Sequence, residues 1–401
     1  MDSDQPLDSF KEAVSPHALG TWPDEPLRMA EENVDALLLW CVQKGASDTS
    51  LQTDRPVYIE VDGMLHPVTR RALDSADIVC LLNKIYGTDA QAKLAAGSDL
   101  DLSYEIRPDR STRMRFRVNI TAILSRGRDS VQITLRTLPN LPPKMADLGI
   151  EPEIIENWSP HQGLILVTGP TGSGKTTLLA AGCRMLIERA RGCGKMLTYE
   201  APIEYVYDAI VGDRSLVAQT EIPRHLPSFA QGVRNALRRK PNIILVGEAR
   251  DRETVSAAIE AGQTGHLVFS TAHTLGVAAT IRRMISVFDP AERSERAYAM
   301  METLRLIVTQ SLVPKVGGGR VGLREFLVFD EKIRETLLDM PIERWTTETQ
   351  RLLLRSGQTM EQTATHAFEN GTIDRRTYLL LTKGFTAEDD QEGLDDDLSG
   401  F

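Results

Sequence analysis

Gly169-Pro170-Thr171-Gly172-Ser173-Gly174-Lys175-Thr176 fills the whole of the pattern GxxxxGK[ST]. The apolar run Leu164 to Val167 precedes it and Thr177-Leu-Leu-Ala-Ala follows, so it reads as the turn between a buried strand and a helix. Glycines at these positions let backbone N–H groups converge on phosphate oxygens, and the start of the helix favours negative charge. Gly169 to Thr177 are therefore the candidate nucleotide-binding residues. The Lys175 ammonium is placed to neutralise the β- and γ-phosphates and the Thr176 hydroxyl to ligate Mg²⁺, which makes ATP and Mg²⁺ the implied cofactors. A glycine-rich turn that happens to precede a helix is the competing reading, and the full match in this context disfavours it.

Around the loop, short and wholly apolar runs alternate with helical stretches: Gly163 to Val167, Met196 to Glu200, Asn242 to Glu248 and Gly265 to Thr271. Runs without polar alternation fit strands buried on both faces, as in a parallel sheet covered by helices. The fold class is α/β. Past about residue 320 the pattern reads as helical.

Several of these runs end in candidate chemistry. Glu200 closes one of them, and a carboxylate at the carboxyl end of a parallel strand faces the ligand crevice, where it can polarise an attacking water. Solvated strand-end charges are the alternative for Glu200 and Glu204. Asn242 to Asp251 resembles a Walker B strand with Gly247 in place of the usual Asp, leaving Glu248 as its acid. His266 and His273 bound the last run. Taken singly, each reads as structural, and seven strand residues separate them by about 23 Å, which excludes a two-histidine metal site.

Upstream, Pro139, Pro142, Pro143 and Pro152 mark residues 138–152 as an extended linker between a first domain, 28–137, and an ATPase domain, 153–385. The first domain opens with helical spacing at Met29, Val34, Leu37, Leu38, Cys41 and Val42. Val57, Ile59 and Val61 then alternate with polar partners up to the hairpin signal Asp62-Gly63. A helical stretch around 78–94 and strand-like runs at 100–106, 113–124 and 131–135 complete a compact α/β domain. Residues 1–27 are acidic, carry four prolines and read as a flexible leader.

Arginines crowd the first domain: Arg107, Arg110, Arg113, Arg115, Arg117, Arg126, Arg128 and Arg136. Strand alternation puts Arg113, Arg115 and Arg117 on one face and Met114, Phe116 and Val118 on the other. Three readings compete: a solvated sheet face, a nucleic-acid track, and charge stabilisation of phosphoryl transfer. Tracks for single strands interleave stacking aromatics. Phe116 is the one aromatic between Arg107 and Arg136, and it lies on the apolar face. Direct nucleic-acid binding is thus not expected.

In this order, GPTGSGKTT (169–177), TYEAPIEY (198–205), ILVGEARDRET (244–254) and TGHLVFSTAHT (264–274) resemble the secretion ATPase superfamily of type II secretion, pilus and type IV secretion motors. GASDTSLQTDRPVYIEVDGML (45–65) and GSDLDLSYEI (97–106) extend the likeness into the first domain. The resemblance implies a PAS-like first domain, a RecA-like P-loop NTPase second domain, and a ring, most often a hexamer. It implies Glu200 as the catalytic acid and Glu248 near Mg²⁺ and water, with His266 and His273 lining the nucleotide site. RFRVN and LRTLP match segments that supply arginine fingers, which singles out Arg117 and Arg136. Ala201 and Thr49 depart from the retraction ATPases, which carry Asp and Leu there, and no AIRNLIRE retraction motif is found. TYEAPIEYVYD is more similar to the DotB and TraJ branch of Dot/Icm-type secretion and plasmid conjugation. A motor for such an apparatus is the leading expectation. A pilus assembly or retraction motor, a nucleic-acid translocase and a non-catalytic nucleotide switch are the competitors.

The net charge of −10 points away from anionic ligands at first sight. Residues 1–35 hold nine acids against two bases, and residues 386–401 hold seven acids and no base. These ends together carry −14, so residues 36–385 are net +4, which suits a nucleotide. The acidic stretch 386–401 reads as a tail. Cys41, Cys80, Cys183 and Cys193 form no CxxC pair, so reduced thiols are expected rather than a zinc knuckle or disulfide framework. With no signal peptide and no apolar run near 18 residues, the chain is expected in the cytoplasm, held at the inner membrane by partner proteins of the secretion or conjugation complex.

Overall fold

A computed structural model describes residues 19–109 and 113–382. The chain divides into two compact units, Met1–Asn140 and Leu141–Phe401.

The first unit is built on six antiparallel strands, β1 (Asp48–Gln52), β2 (Tyr58–Val61), β3 (Met64–Pro67), β4 (Leu100–Ile106), β5 (Met114–Ser125) and β6 (Arg128–Leu138), in the order β3-β2-β1-β6-β5-β4. Asp62 and Gly63 join β2 to β3 with φ of 50° and 78°, the paired positive values that a tight hairpin needs. Alternation places Ile59, Phe116, Val118, Ile133 and Leu135 in one core with Val34, Leu37, Leu38 and Cys41 of helix Glu31–Gln43. The helical stretch expected at 78–94 is two helices, Ser75–Ile85 and Ala90–Ala95. Trp22, in the stretch read as a flexible leader, is buried, and its N–H donates to Val68 O. Glu25 accepts the N–H groups of Arg70 and Arg71. Residues 1–18 of that leader, Arg110 and the acidic tail 386–401 lie outside the described residues.

The second unit carries seven strands: β7 (Gly163–Thr168), β8 (Gly194–Glu200), β9 (Ser215–Glu221), β10 (Ile243–Val246), β11 (Leu267–Ala272), β12 (Leu304–Pro314) and β13 (Arg320–Val328). Their order is β13-β12-β7-β11-β10-β8-β9, parallel throughout except for β13, which runs antiparallel at the edge. Every residue of β7, β10 and β11 is buried. Leu164 and Leu166 pack into the core on one face, and Ile165 and Val167 into the core on the other. Burial on both faces is what the unbroken apolar runs require. Helix Lys175–Glu188 covers one face, and helices Arg252–Gln263 and Val277–Ser286 cover the other. Gly182 lets the first of these helices sit on the Trp158 indole, since a Cβ there would lie 2.1 Å from Nε1.

Four strands escaped the sequence reading: β1 in the first unit, and β9, β12 and β13 in the second. β9 is half-exposed and mixes polar with apolar residues, and β12 and β13 form a hairpin in a region that lacks a short apolar signature. The stretch just past residue 320 is therefore strand, and helices resume at Glu331. Residues 138–152, expected as an extended linker, are not extended throughout, and Leu138 is the last residue of β6. They contain the 3₁₀ turn Met145–Leu148, and Met145 and Ile150 are buried in the core of the second unit.

The four cysteines are free. No helix among the described residues is long and apolar enough to cross a membrane.

Candidate nucleotide-binding site

The phosphate loop leaves the carboxyl end of β7 and enters helix Lys175–Glu188, whose first N–H groups have no acceptor within the helix. Gly169, Gly172 and Gly174 take φ of 136°, 77° and 81°, which side chains resist. Close approach matters as much as dihedral freedom. A Cβ on Gly169 would lie 2.2 Å from Gln310 O, and one on Gly174 would lie 2.8 Å from Gln310 Nε2. Lys175 Nζ donates to Gly169 O at 2.9 Å and Pro170 O at 2.7 Å, so the ammonium is curled into the loop. Burial pulls its pKa below the usual lysine value, and the Glu248 and Glu204 carboxylates oppose that shift. Ser173 Oγ is buried and has no hydrogen-bond partner among the described residues. Pro170 and Thr171 are exposed, and Thr176 is half-buried. Thr177 Oγ1 meets Tyr205 Oη at 3.2 Å, which ties the helix to the segment after β8.

The neighbouring strands bring carboxylates to the same edge of the sheet. Glu200 ends β8 and is buried, and its Oε1 accepts from Thr198 Oγ1 at 2.6 Å and Gln219 Nε2 at 3.1 Å. These two donors fix the carboxylate in one orientation. Glu248 follows β10, and its corner is pinned on both sides by β11. Thr271 Oγ1 donates to Gly247 O at 2.6 Å, and Ala249 N donates to Thr271 O at 2.9 Å. Gly247 suits this corner because a Cβ there would press to 3.2 Å on Tyr199 O and 3.3 Å on Glu200 Cα. Asp251, in the same motif, is an N-cap: its carboxylate accepts from the backbone N–H and hydroxyl of Thr254. His273 Nε2 lies 3.9 Å from Glu248 Oε1. Oxygen donors at Thr176, Glu200 and Glu248 suit Mg²⁺, which takes one or two protein oxygens besides phosphate and water. Among the described residues, no three His, Cys, Asp or Glu side chains converge as a metal cluster of their own.

His266 does not join this group. It sits at the amino end of β11, where Nδ1 is 3.1 Å from Ala261 O and its carbonyl accepts the N–H of Gly163 at the start of β7. The loop follows the far end of β7, a full strand length away. The length of β11 thus separates the two histidines within this unit, with His273 at the end of the sheet from which the phosphate loop leaves β7.

Arg117 and Arg136 belong to the first unit, where they are direct partners across β5 and β6. Arg136 Nε donates to Asp48 Oδ1 at 2.9 Å. Glu105 occupies other members of the cluster, accepting from Arg107 and Arg113 at 2.6 Å each and lying 4.0 Å from Arg115.

The sequence reading missed the residues that hold this site in place: Thr198, Gln219, Thr271, Gln310 and Arg324. For Thr198 and Thr271 the signal is a polar side chain inside an otherwise apolar run, which must find a partner when buried. Glu221 belongs with them, since it ends β9 beside Glu200 and its carboxylate accepts the N–H of Ile203.

The family model described as Type II/IV secretion system protein matches residues 25–318. The type IV pilus retraction ATPase PilT of Pseudomonas aeruginosa is 36% identical over 306 residues, covering 76% of this chain and 85% of that protein. The X-ray structure of the Legionella pneumophila ATPase DotB aligns at a TM-score of 0.85 with 48% identity, covering 89% of this chain and 97% of that one. The crystal structure of the pilus retraction motor PilT with bound ADP aligns at 0.77 with 32% identity, covering 87% and 97%. The second unit accordingly has the RecA-like ATPase fold, and the chain belongs to the type II/IV secretion system ATPase family.

Proposed function

We propose that the chain is a Mg²⁺-dependent ATPase that works as a ring, most simply a hexamer, and powers a type IV secretion apparatus of the Dot/Icm type or a conjugative apparatus. The observation that carries the chemistry is the convergence of Lys175, Glu200 and Glu248 at one edge of the parallel sheet. Lys175 and the loop N–H groups bind the phosphates, and Thr176 with Glu248 holds Mg²⁺. Glu200, oriented by Thr198 and Gln219, polarises the attacking water, and His273 supports Glu248. When bound there, Mg²⁺ would supply positive charge to offset that on the phosphates. Arg117 and Arg136 complete the site within the ring by stabilising charge on the transferred phosphoryl group.

The choice of apparatus is supported by the greater likeness to the Legionella DotB structure, 48% identity against 32% for the PilT structure. A pilus motor is the second reading, favoured by the PilT relative that spans 76% of the chain. Partners would be proteins of an inner-membrane complex holding a cytoplasmic ring. Phosphate release by the purified chain, with and without a Mg²⁺ chelator, tests the chemistry. Lys175→Ala should lower turnover by about 10²–10³-fold through loss of one preorganised charge at the phosphates. Wild-type turnover in that variant would refute the phosphate-loop assignment. Mapping the genes beside this one separates the two apparatus readings.

A further inference from the structure

The segment that begins the second unit is bound to the phosphate loop by a buried polar chain. Arg324 on β13 is 3% exposed, and every nitrogen of its guanidinium has a partner. Nε donates to Gln310 Oε1 at 2.8 Å, Nη1 to Gly149 O and to a Glu151 carboxylate oxygen at 3.1 Å each, and Nη2 to Leu148 O at 3.2 Å. Gln310 on β12 is 4% exposed, and its Nε2 donates to Ser173 O in the phosphate loop at 2.6 Å.

The direction of these bonds is forced. A guanidinium can only donate and a backbone carbonyl can only accept. The Gln310 amide must therefore turn its oxygen to Arg324 and its NH₂ to Ser173. Without the arginine, the Ser173 carbonyl alone would hold the orientation of the amide. The fit is close as well: a Cβ on Gly174 would lie 2.8 Å from Gln310 Nε2, and one on Gly322 would lie 2.8 Å from Arg324 Nη2. A second contact reaches the same segment from the helix that the loop opens. Arg184 Nη1 donates to Pro142 O at 2.6 Å. Residues 142–151, which directly follow the first unit, are thus held both by that helix and by the loop itself.

We propose that Gln310 and Arg324 are positioning residues of the nucleotide site, fixing the phosphate loop at a place set by segment 142–151. This deepens the ATPase reading and rests on it only for its consequence in catalysis. A displacement of the segment loosens Arg324, frees the Gln310 amide and unseats Ser173. Conversely, a loop drawn onto phosphate pulls on the segment that leads to the first unit. A displacement of segment 142–151 is thereby felt at the phosphate loop.

The test uses the full chain without nucleotide, so that it reads the loop whatever the reaction proves to be. Amide hydrogen exchange is followed at residues 169–176 in wild type, Gln310→Met, Arg324→Met and Glu151→Ala. Gln310→Met keeps the side-chain volume and removes the bond, and Glu151→Ala lies on the segment. We expect exchange in the loop to rise about three- to tenfold in Gln310→Met, the worth of one hydrogen bond, with β7 unchanged. Glu151→Ala should raise it less and should add nothing in a Gln310→Met background. The KM for ATP should rise with the loop exchange while kcat changes little. Loop exchange at the wild-type rate in folded Gln310→Met and Glu151→Ala would overturn the proposal, as would a loss of melting temperature with no effect confined to the loop. Loosened loops in a chain that hydrolyses no ATP would uphold the linkage and refute only the ATPase reading.

Discussion

The two ends of β11 each carry a histidine from one continuous motif, yet they stand in different surroundings. His273, at the carboxyl end, faces Glu248 across 3.9 Å at the edge where the phosphate loop and Glu200 also emerge. His266, at the amino end, is occupied by the Ala261 carbonyl and holds the start of β7 by its own carbonyl. The difference follows from the parallel sheet. β7, β9, β10 and β11 each hand over to a helix at their carboxyl ends, so helix N-termini gather there with the strand-end carboxylates Glu200 and Glu248. The amino edge carries the return connections and serves packing. Nearness within a motif is therefore a poor guide to nearness in space.

This contrast can be pushed from both sides. In the proposed ring, the carboxyl edge still needs positive charge to match the transferred phosphoryl group. Removing Arg117 and Arg136 together should reduce ATP turnover by about 10³-fold or more, the known worth of arginine fingers, while leaving nucleotide affinity nearly intact. Full activity in the double variant would assign both arginines to the solvated sheet face, where Asp48 already engages Arg136. A smaller effect separates the two histidines. His273→Ala should slow turnover by no more than about fivefold, the worth of one partly exposed contact to a carboxylate, whereas His266→Ala should leave kcat unaltered and act through stability. Equal losses of kcat in the two variants would erase the distinction between the edges.

Much of this arrangement is legible in the residues themselves. The loop from Gly169 to Thr176 and the buried runs ending at Val167, Glu200 and Val246 are local patterns, so their reading needs no knowledge of the rest of the chain. The Asp62-Gly63 hairpin is equally local. What escapes is set by tertiary pairing. β9, β12 and β13 lie at or near the edges of the sheet, where half-exposed positions tolerate polar residues and blur the apolar signal. Gln310 and Arg324 look like ordinary polar residues until the hairpin turns them onto the phosphate loop, 137 positions away for the Gln310 bond. Met145 and Ile150 escape for a related reason. The surrounding prolines advertise an exposed connection, and only the folded chain shows what these side chains cover.

The central claim is that the carboxyl edge hydrolyses ATP through a carboxylate held at the end of β8. Its most direct test is ATP binding and phosphate release in Glu200→Gln, a change that keeps shape and removes charge. We expect ATP to bind as in wild type while turnover falls about 10²–10⁴-fold, the range for loss of a positioned acid–base group. Phosphate release at the wild-type rate would contradict the account.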